Sequence, residues 1–277
     1  MKCAYVTLVM LGDSYVKGAV ALAKSLIKSG TKHELVCLIT KDVTQRQKLQ
    51  QLYNHVIIVP YLYFECGKML TERQQQLYNK WINFSFTKWR CFELISYDKC
   101  VYLDADQLVL RNIDHLFCVA SPCAMCFNYN YNPQYKLFKY GHTITPTIHN
   151  HIIHNYDIIG FTGTLVFTPN MNLFEKIVSL LNPKNPLLNT PVNKYNNGFD
   201  EIVLAQALIN LKLEVTQLSP MYMWNAGDYS VLRNLQPYII NYYGDQKPWT
   251  TNGGNKTEHS QFMDVYIWKY FYNSKIK

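Results

Sequence analysis

The chain has 277 residues, of which 48% are apolar and 17% charged, and a formal net charge of +8. That balance excludes a disordered or solvating chain and leaves enough apolar surface for a sizeable core. The basic residues are dispersed rather than gathered in a run, which points to a small anionic ligand and not to nucleic acid.

From the N-terminus, Ala4 to Met10 predicts an apolar strand, and from Ser14 onward Tyr15, Val20, Leu22, Leu26 and Ile27 recur near helical spacing. Met1-Lys2 and the apolar run to Leu11 have the outline of a short signal peptide. No small-residue cleavage site follows, and Gly12-Asp13 leads directly into the helical pattern, so a strand and turn are expected instead. Leu35 to Ile39 reads as a second strand, Asp42 to Tyr53 as a surface helix, and Val56 to Val59 as a third strand closed by Pro60. This alternation predicts an α/β fold, a mainly parallel sheet with helices on both faces. Residues 1–277 are expected to form one domain of Rossmann-like type.

Phe64 to Asn83 is polar and Gln-rich, has no clear period, and carries the composition of a mobile segment near the site. Phe86 to Ile95 predicts a helix running into the strand Cys100 to Leu103. Asn128 to Asp157 is rich in Tyr, Asn and His and reads as a solvated loop, with His149, His151 and His154 in it rather than in a metal cluster. Leu165 to Phe167 returns to strand, Met171 to Leu181 to amphipathic helix, Asn182 to Asn197 to a Pro-bearing loop, and Phe199 to Leu211 to helix. The eight cysteines lie mostly in apolar stretches, as reduced thiols in a cytoplasmic protein do. Cys123 and Cys126 form a lone C-x-x-C whose members a strand would point to opposite faces, which spoils chelation. No run has the length needed to cross a bilayer, so no membrane partner is expected.

The most informative residues are Asp104 and Asp106. They follow the strand ending at Leu103, at the carboxyl edge where parallel α/β sheets collect ligands. Two hard oxygen donors around the small Ala105 suit Mn²⁺ or Mg²⁺ carrying a diphosphate. A solvated turn is the plain alternative. A phosphohydrolase with Asp104 as nucleophile is another, disfavoured because the pair lies past residue 100 and is followed by Gln107-Leu108.

Tyr5-Val-Thr-Leu8, Gly12-Asp-Ser-Tyr-Val-Lys-Gly18, Val101-Tyr-Leu-Asp-Ala-Asp106 and Asn112-Ile-Asp-His-Leu-Phe117 resemble the glycogenin and galactinol synthase family of retaining glycosyltransferases. So do Phe161-Thr-Gly-Thr-Leu-Val-Phe-Thr-Pro169, Phe199-Asp-Glu-Ile-Val-Leu204 and Gly244-Asp-Gln-Lys-Pro-Trp249. The resemblance implies a GT-A type fold, with residues 1–120 as the nucleotide-binding half and 121–277 as the sugar- and acceptor-binding half. It implies a UDP-sugar donor, Leu8 and Tyr15 around the uracil, Lys88 near the donor phosphate and sugar, and Ala105 against the ribose. Asp104 and Asp106 would bind the metal, Thr162 and Gly163 would border the sugar, and Gly244 and Lys247 would hold the diphosphate. Asp200 would hold sugar hydroxyls. The acceptor is left open among a polyol, a glycan and a protein tyrosine, with Tyr222 and Tyr229 in the stretch that carries glycogenin's own acceptor. A homodimer is the candidate assembly. Proteins of this kind also occur in large insect DNA viruses, for which the host cytoplasm is the expected location.

Three departures from the family pattern stand out. Asn241 occupies the place of a histidine metal ligand, and its amide oxygen makes a weaker ligand for a hard cation. Thr162 replaces an asparagine or serine beside the central glycine. Glu201 replaces the usual glutamine after Asp200, which raises the idea of a carboxylate stabilising or attacking the anomeric centre. Front-face attack with Glu201 positioning the sugar is the favoured expectation. The first two departures also motivate a different class of function, a nucleotide-sugar-binding protein without turnover.

Overall fold

The computed structural model describes residues 1–127, 139–156, 159–189, 198–227, 236–244, 247–250 and 263–276. Its main sheet has eight strands: β1 (Cys3–Val9), β2 (Glu34–Ile39), β3 (His55–Ile58), β4 (Lys99–Leu103), β6 (Cys123–Cys126), β7 (Thr143–Ile144), β8 (Phe161–Phe167) and β9 (Val215–Leu218). They lie in the order β3-β2-β1-β4-β8-β6-β9-β7. The run from β3 to β4 is parallel throughout, β8 is antiparallel to both of its neighbours, and β6 and β9 are parallel to each other. A second sheet joins β5 (Gln107–Val109), β10 (Trp224–Asn225) and β11 (Ile239–Asn241) in the order β10-β11-β5.

The strand sequences are apolar at nearly every position because both faces are covered. In β1, Ala4, Val6 and Leu8 enter one core while Cys3, Tyr5 and Val9 enter the other. Helix α1 (Val16–Lys28) covers the second face. The first is covered by α5 (Met171–Leu180), α6 (Phe199–Asn210) and a 3₁₀ segment, Ile82–Glu93. The same alternation sends Cys123 to one core and Cys126 to the other, so the C-x-x-C pair is split as its spacing predicts. All eight cysteines are free thiols.

Four local expectations change. Helix α2 (Arg46–Gln50) is much shorter than the stretch 42–53, because Asp13 captures the backbone N–H groups of Thr44 and Gln45 at 2.8 and 3.1 Å and sets the helix start late. The Gln-rich stretch contains helix α3 (Glu72–Tyr78), opened by a capping box in which Thr71 and Gln74 bond reciprocally. The segment before β4 winds as 3₁₀ rather than α. Its three-residue period stacks Phe86, Trp89 and Phe92 on one buried ridge and brings Ser85 and Lys88 onto the neighbouring ridge. Last, the histidines of 149–154 belong to helix α4 (Pro146–Tyr156), and His149 is fully buried with its ring edge-on to Phe127 at 5.7 Å. Burial there pushes its imidazole down to about 4, so it is a neutral core residue and not a solvated one.

Candidate active site

The parallel register of β1 and β4, Val6 beside Tyr102, carries both strands out at the same sheet edge. The turn 10–13 follows one and Asp104 the other. Antiparallel β8 starts where β4 ends, with Thr164 opposite Leu103. The Asp104 N–H consequently donates to the Gly163 carbonyl at 2.9 Å. Asp106 is reached from the second sheet: Asn241 of β11 pairs with Gln107 of β5, and the Tyr242 N–H donates to the Asp106 carbonyl at 3.0 Å.

Each carboxylate has its own ammonium. Lys88 Nζ donates to Asp104 Oδ1 at 3.2 Å and to Thr162 Oγ1 at 3.0 Å, and lies 4.6 Å from the centroid of the Tyr102 ring. Lys247 Nζ donates to Asp106 Oδ2 at 2.5 Å and to the Tyr242 carbonyl at 2.8 Å. Both lysine side chains are under 10% exposed, at 9% and 8%. Burial by itself would depress these ammonium groups. Asp104, Asp200 and Glu201 hold Lys88 above the ordinary lysine range, and Asp106 does the same for Lys247.

The carboxylates experience the opposite push. Desolvation raises Asp104 to about 6 against the pull of Lys88, with Asp106 adding repulsion. Burial likewise raises Asp200, again opposed by Lys88. Four carboxylates therefore face two ammonium groups, an excess of negative charge that a bound cation would relieve. Replacing Lys88 by methionine removes the strongest influence holding Asp104 down. Its carboxyl is then expected to titrate above about 6, moving the acid limb of the pH–activity profile to higher pH, as initial rates across pH would measure.

Glu201 is tied in from α6. Its Oε1 accepts from the Thr162 N–H at 2.8 Å and the Thr162 hydroxyl at 3.3 Å, and its Oε2 accepts from the Gly198 N–H at 3.3 Å. The continuous chain Glu201–Thr162–Lys88–Asp104 thus joins α6, β8, the 3₁₀ segment and β4. Asp200 anchors the same helix start, its carbonyl accepting from Trp89 Nε1 at 3.1 Å. Gly163 leaves little room for a side chain: a Cβ there would stand 3.1 Å from Asp104 Oδ2 and 3.1 Å from Gln107 Nε2, each of which would have to give way.

The remaining residues expected from the sequence sit around this cluster. Leu8 is buried on β1. Tyr15 meets Trp249 edge-on at 5.5 Å and lies 5.7 Å from Lys247 Nζ, and desolvation pushes its hydroxyl up to about 12. Ala105 is buried under α1, and Gly244 takes a left-handed φ of 98°. Asn241 Nδ2 donates to Asn225 Oδ1 at 3.0 Å. Tyr222 bonds His115 Nε2 at 2.6 Å and stacks on Tyr238. Tyr229 lies outside the described residues.

Sequence reasoning missed Asn225, Gln107 and Ser85. Gln107 directly follows the acidic pair and accepts from the Thr164 hydroxyl at 3.3 Å, a neighbour that strand alternation after Asp106 would have suggested. Asn225 meets the site only through pairing of β10 with β11, so nothing local marks it.

The model of glycosyl transferase family 8 matches residues 6–253. The chain belongs to this family. As a family 8 member it is a glycosyltransferase. An uncharacterized protein of Acanthamoeba polyphaga mimivirus is 28% identical over 282 residues, covering 97% of this chain and 90% of that protein. Glycogenin-1 of Caenorhabditis elegans is 38% identical over 121 residues, or 42% of this chain and 27% of that protein. The chain thus spans about a quarter of glycogenin-1. Among solved structures, the galactosyltransferase LgtC, crystallised with donor and acceptor sugar analogues, superposes with a TM-score of 0.64 at 11% identity. The match covers 99% of this chain and 97% of that one, and at this identity it establishes the GT-A type fold. Among the described residues no helix is long and apolar enough to cross a membrane, and no three His, Cys, Asp or Glu side chains converge as a metal group.

Proposed function

We propose that this family 8 enzyme moves glucose or galactose from a UDP-sugar to an acceptor hydroxyl with retention of configuration, as a cytoplasmic enzyme whose eight thiols stay reduced. The observation carrying the proposal is the meeting of Lys88, Asp104, Thr162 and Glu201 with Asp106 and Lys247 at one sheet edge. In this reading residues 1–120 hold the nucleotide end of the donor and 121–277 the sugar and the acceptor.

Asp104, Asp106 and Asn241 would hold Mn²⁺, with Mg²⁺ as the substitute. The donor set fits: the Asn241 amide nitrogen is committed to Asn225, which leaves the amide oxygen as its hard donor beside two carboxylates. A cation held there would supply positive charge against the diphosphate leaving group. The protein's own groups supply the rest. Lys88 and Lys247 are fixed, desolvated positive charges for the phosphate and sugar end of the donor, and Gly244 permits close backbone approach. Leu8 and Tyr15 would flank the uracil, with Ala105 against the ribose. Asp200 and Thr162 would orient sugar hydroxyls next to Gly163.

Glu201 serves here as a positioning group, its carboxylate tied to Thr162 and to Gly198. Glu201→Gln retains an oxygen for the Thr162 N–H and is expected to keep most activity, whereas Glu201→Ala should lose about 10-fold. A covalent glycosyl-Glu201 species on intact-protein mass spectrometry would sink this assignment. The function as a whole is tested by incubating the protein with a panel of UDP-sugars and Mn²⁺ and weighing protein and small products. Candidate acceptors are a polyol, a glycan and a protein tyrosine. Nucleotide affinity without sugar release would mark a binding protein instead.

A further inference from the structure

Outside the charged cluster, the turn after β1 is held in a conformation that its sequence disfavours. Leu11 has a φ of 57° and Gly12 a φ of 78°. A left-handed backbone is natural for glycine but strained for a leucine, and it persists only where surrounding bonds impose it. Here they come from one tyrosine. The Tyr61 hydroxyl accepts from the Leu11 N–H at 2.9 Å and from Thr40 Oγ1 at 3.1 Å, and donates to the Asp42 carboxylate at 2.9 and 3.0 Å. Against desolvation, the Gly12 N–H is among the groups that hold the Asp42 carboxyl below the usual carboxylate range. One hydroxyl, itself fixed by the Asp42 carboxylate, thereby holds the Leu11 N–H of the turn.

Two further links connect this clamp to the cluster around the acidic pair. The residue after Tyr61, Leu62, donates its N–H to Thr87 Oγ1 at 3.1 Å, and Thr87 precedes Lys88 on the 3₁₀ segment. On the other side the turn leads into Asp13, Ser14 and Tyr15, and the Ser14 carbonyl accepts from Trp249 Nε1 at 2.8 Å. The Tyr61 ring is braced edge-on against Phe84 at 5.0 Å. The 61–62 strand exit is thus a strap between the turn that carries Tyr15 and the segment that carries Lys88.

We infer that Tyr61, through Asp42, is a positioning residue for the nucleoside end of the donor: it imposes the left-handed Leu11–Gly12 turn and so places the Tyr15 wall. This rests on the proposed donor site. Losing the hydroxyl frees the turn to relax to ordinary backbone angles, which disturbs the pocket for the base and leaves the lysines and carboxylates that grip the diphosphate in place.

The test is Tyr61→Phe, which keeps the ring against Phe84, alongside Asp42→Asn and the double variant, each with Mn²⁺. Donor KM and UDP affinity are expected to weaken by about 10-fold, with kcat and the affinity for inorganic pyrophosphate unchanged. The double variant should lose little more than either single one, because both act on one turn. Unchanged UDP affinity in Tyr61→Phe overturns the inference. Equal losses for UDP and pyrophosphate also overturn it, since they would mark a general loss of structure. If the unaltered protein binds neither UDP nor UDP-sugars, the donor-site reading itself has failed, and the two failures are told apart by that control.

Discussion

With Asp104 and Asp106 both replaced by alanine, sugar transfer is expected to fall by about 1,000-fold or more, and metal-supported nucleotide affinity should disappear with it. The physical reason is that in the proposed site these carboxylates supply the anionic oxygens for the cation, beside Asn241, which pairs with Gln107 just after Asp106. The substitution also removes the ion-paired carboxylates of Lys88 and Lys247, whose side chains are 9% and 8% exposed, with Asp200 and Glu201 still acting on Lys88. An unpaired buried ammonium costs several kcal/mol, although each lysine keeps one neutral acceptor, Thr162 for the first and the Tyr242 carbonyl for the second. A lower Tm is therefore expected together with the loss of rate. The Asp104→Asn/Asp106→Asn variant preserves shape and separates the two effects: it should melt closer to the unaltered protein and still fail to bind metal-dependently. Calorimetric titration with UDP, with and without Mn²⁺, provides the decisive reading. Unchanged metal-supported affinity would remove the cation from the proposal.

Gly18→Ala is expected to be nearly as damaging, although it lies in a helix, where alanine ordinarily stabilises by up to about 1 kcal/mol. A Cβ at this position would stand only 2.3 Å from the Ala105 carbonyl oxygen and 2.7 Å from a ring carbon of Trp249. Neither can retreat freely. The carbonyl is the backbone between Asp104 and Asp106, and the indole is pinned by its bond to the Ser14 carbonyl and by packing against Trp268. Overpacking of this kind costs about 1–3 kcal/mol. Any relief must also tilt the Asp104-Ala-Asp106 backbone, and displacement of reacting groups by about an ångström lowers rates roughly 100-fold. Lys17→Ala, on the exposed neighbouring position, is the matched control and should be neutral. Thermal melts and initial rates on both variants check the expectation, and wild-type rates in Gly18→Ala would refute the close approach of α1 to the acidic turn.

The parallel strands β1 to β4, helix α1, helix α6 and the acidic pair were all legible in the chain. Each depends on local signals: buried strands read as apolar runs, amphipathic helices show their period, and two aspartates after a strand mark a sheet edge. The sequence alone also placed Cys123 and Cys126 on opposite faces, since a strand alternates strictly. Family resemblance added Lys88, Glu201 and Lys247 by position.

What only the tertiary structure decided is how those residues meet, because their partners come from distant segments. Lys88 is paired with Asp104 and Thr162 through a 3₁₀ ridge, where a helical period had suggested an α-helix; stacking Phe86, Trp89 and Phe92 in one core overrode local preference. His149 was expected in water and is buried, since its helix packs an apolar face whose spacing the surrounding Asn and His residues hide. Glu201 raised a chemical role by its place in the family pattern, and only the structure shows its carboxylate accepting from Thr162 and Gly198. The left-handed turn at Leu11 has no signature at all, because a leucine adopts it only under the pull of Tyr61, fifty residues away in the chain. Periodicity records what one segment does against an averaged core; hydrogen bonds between side chains of remote segments depend on register and approach, which exist only once the sheet has formed.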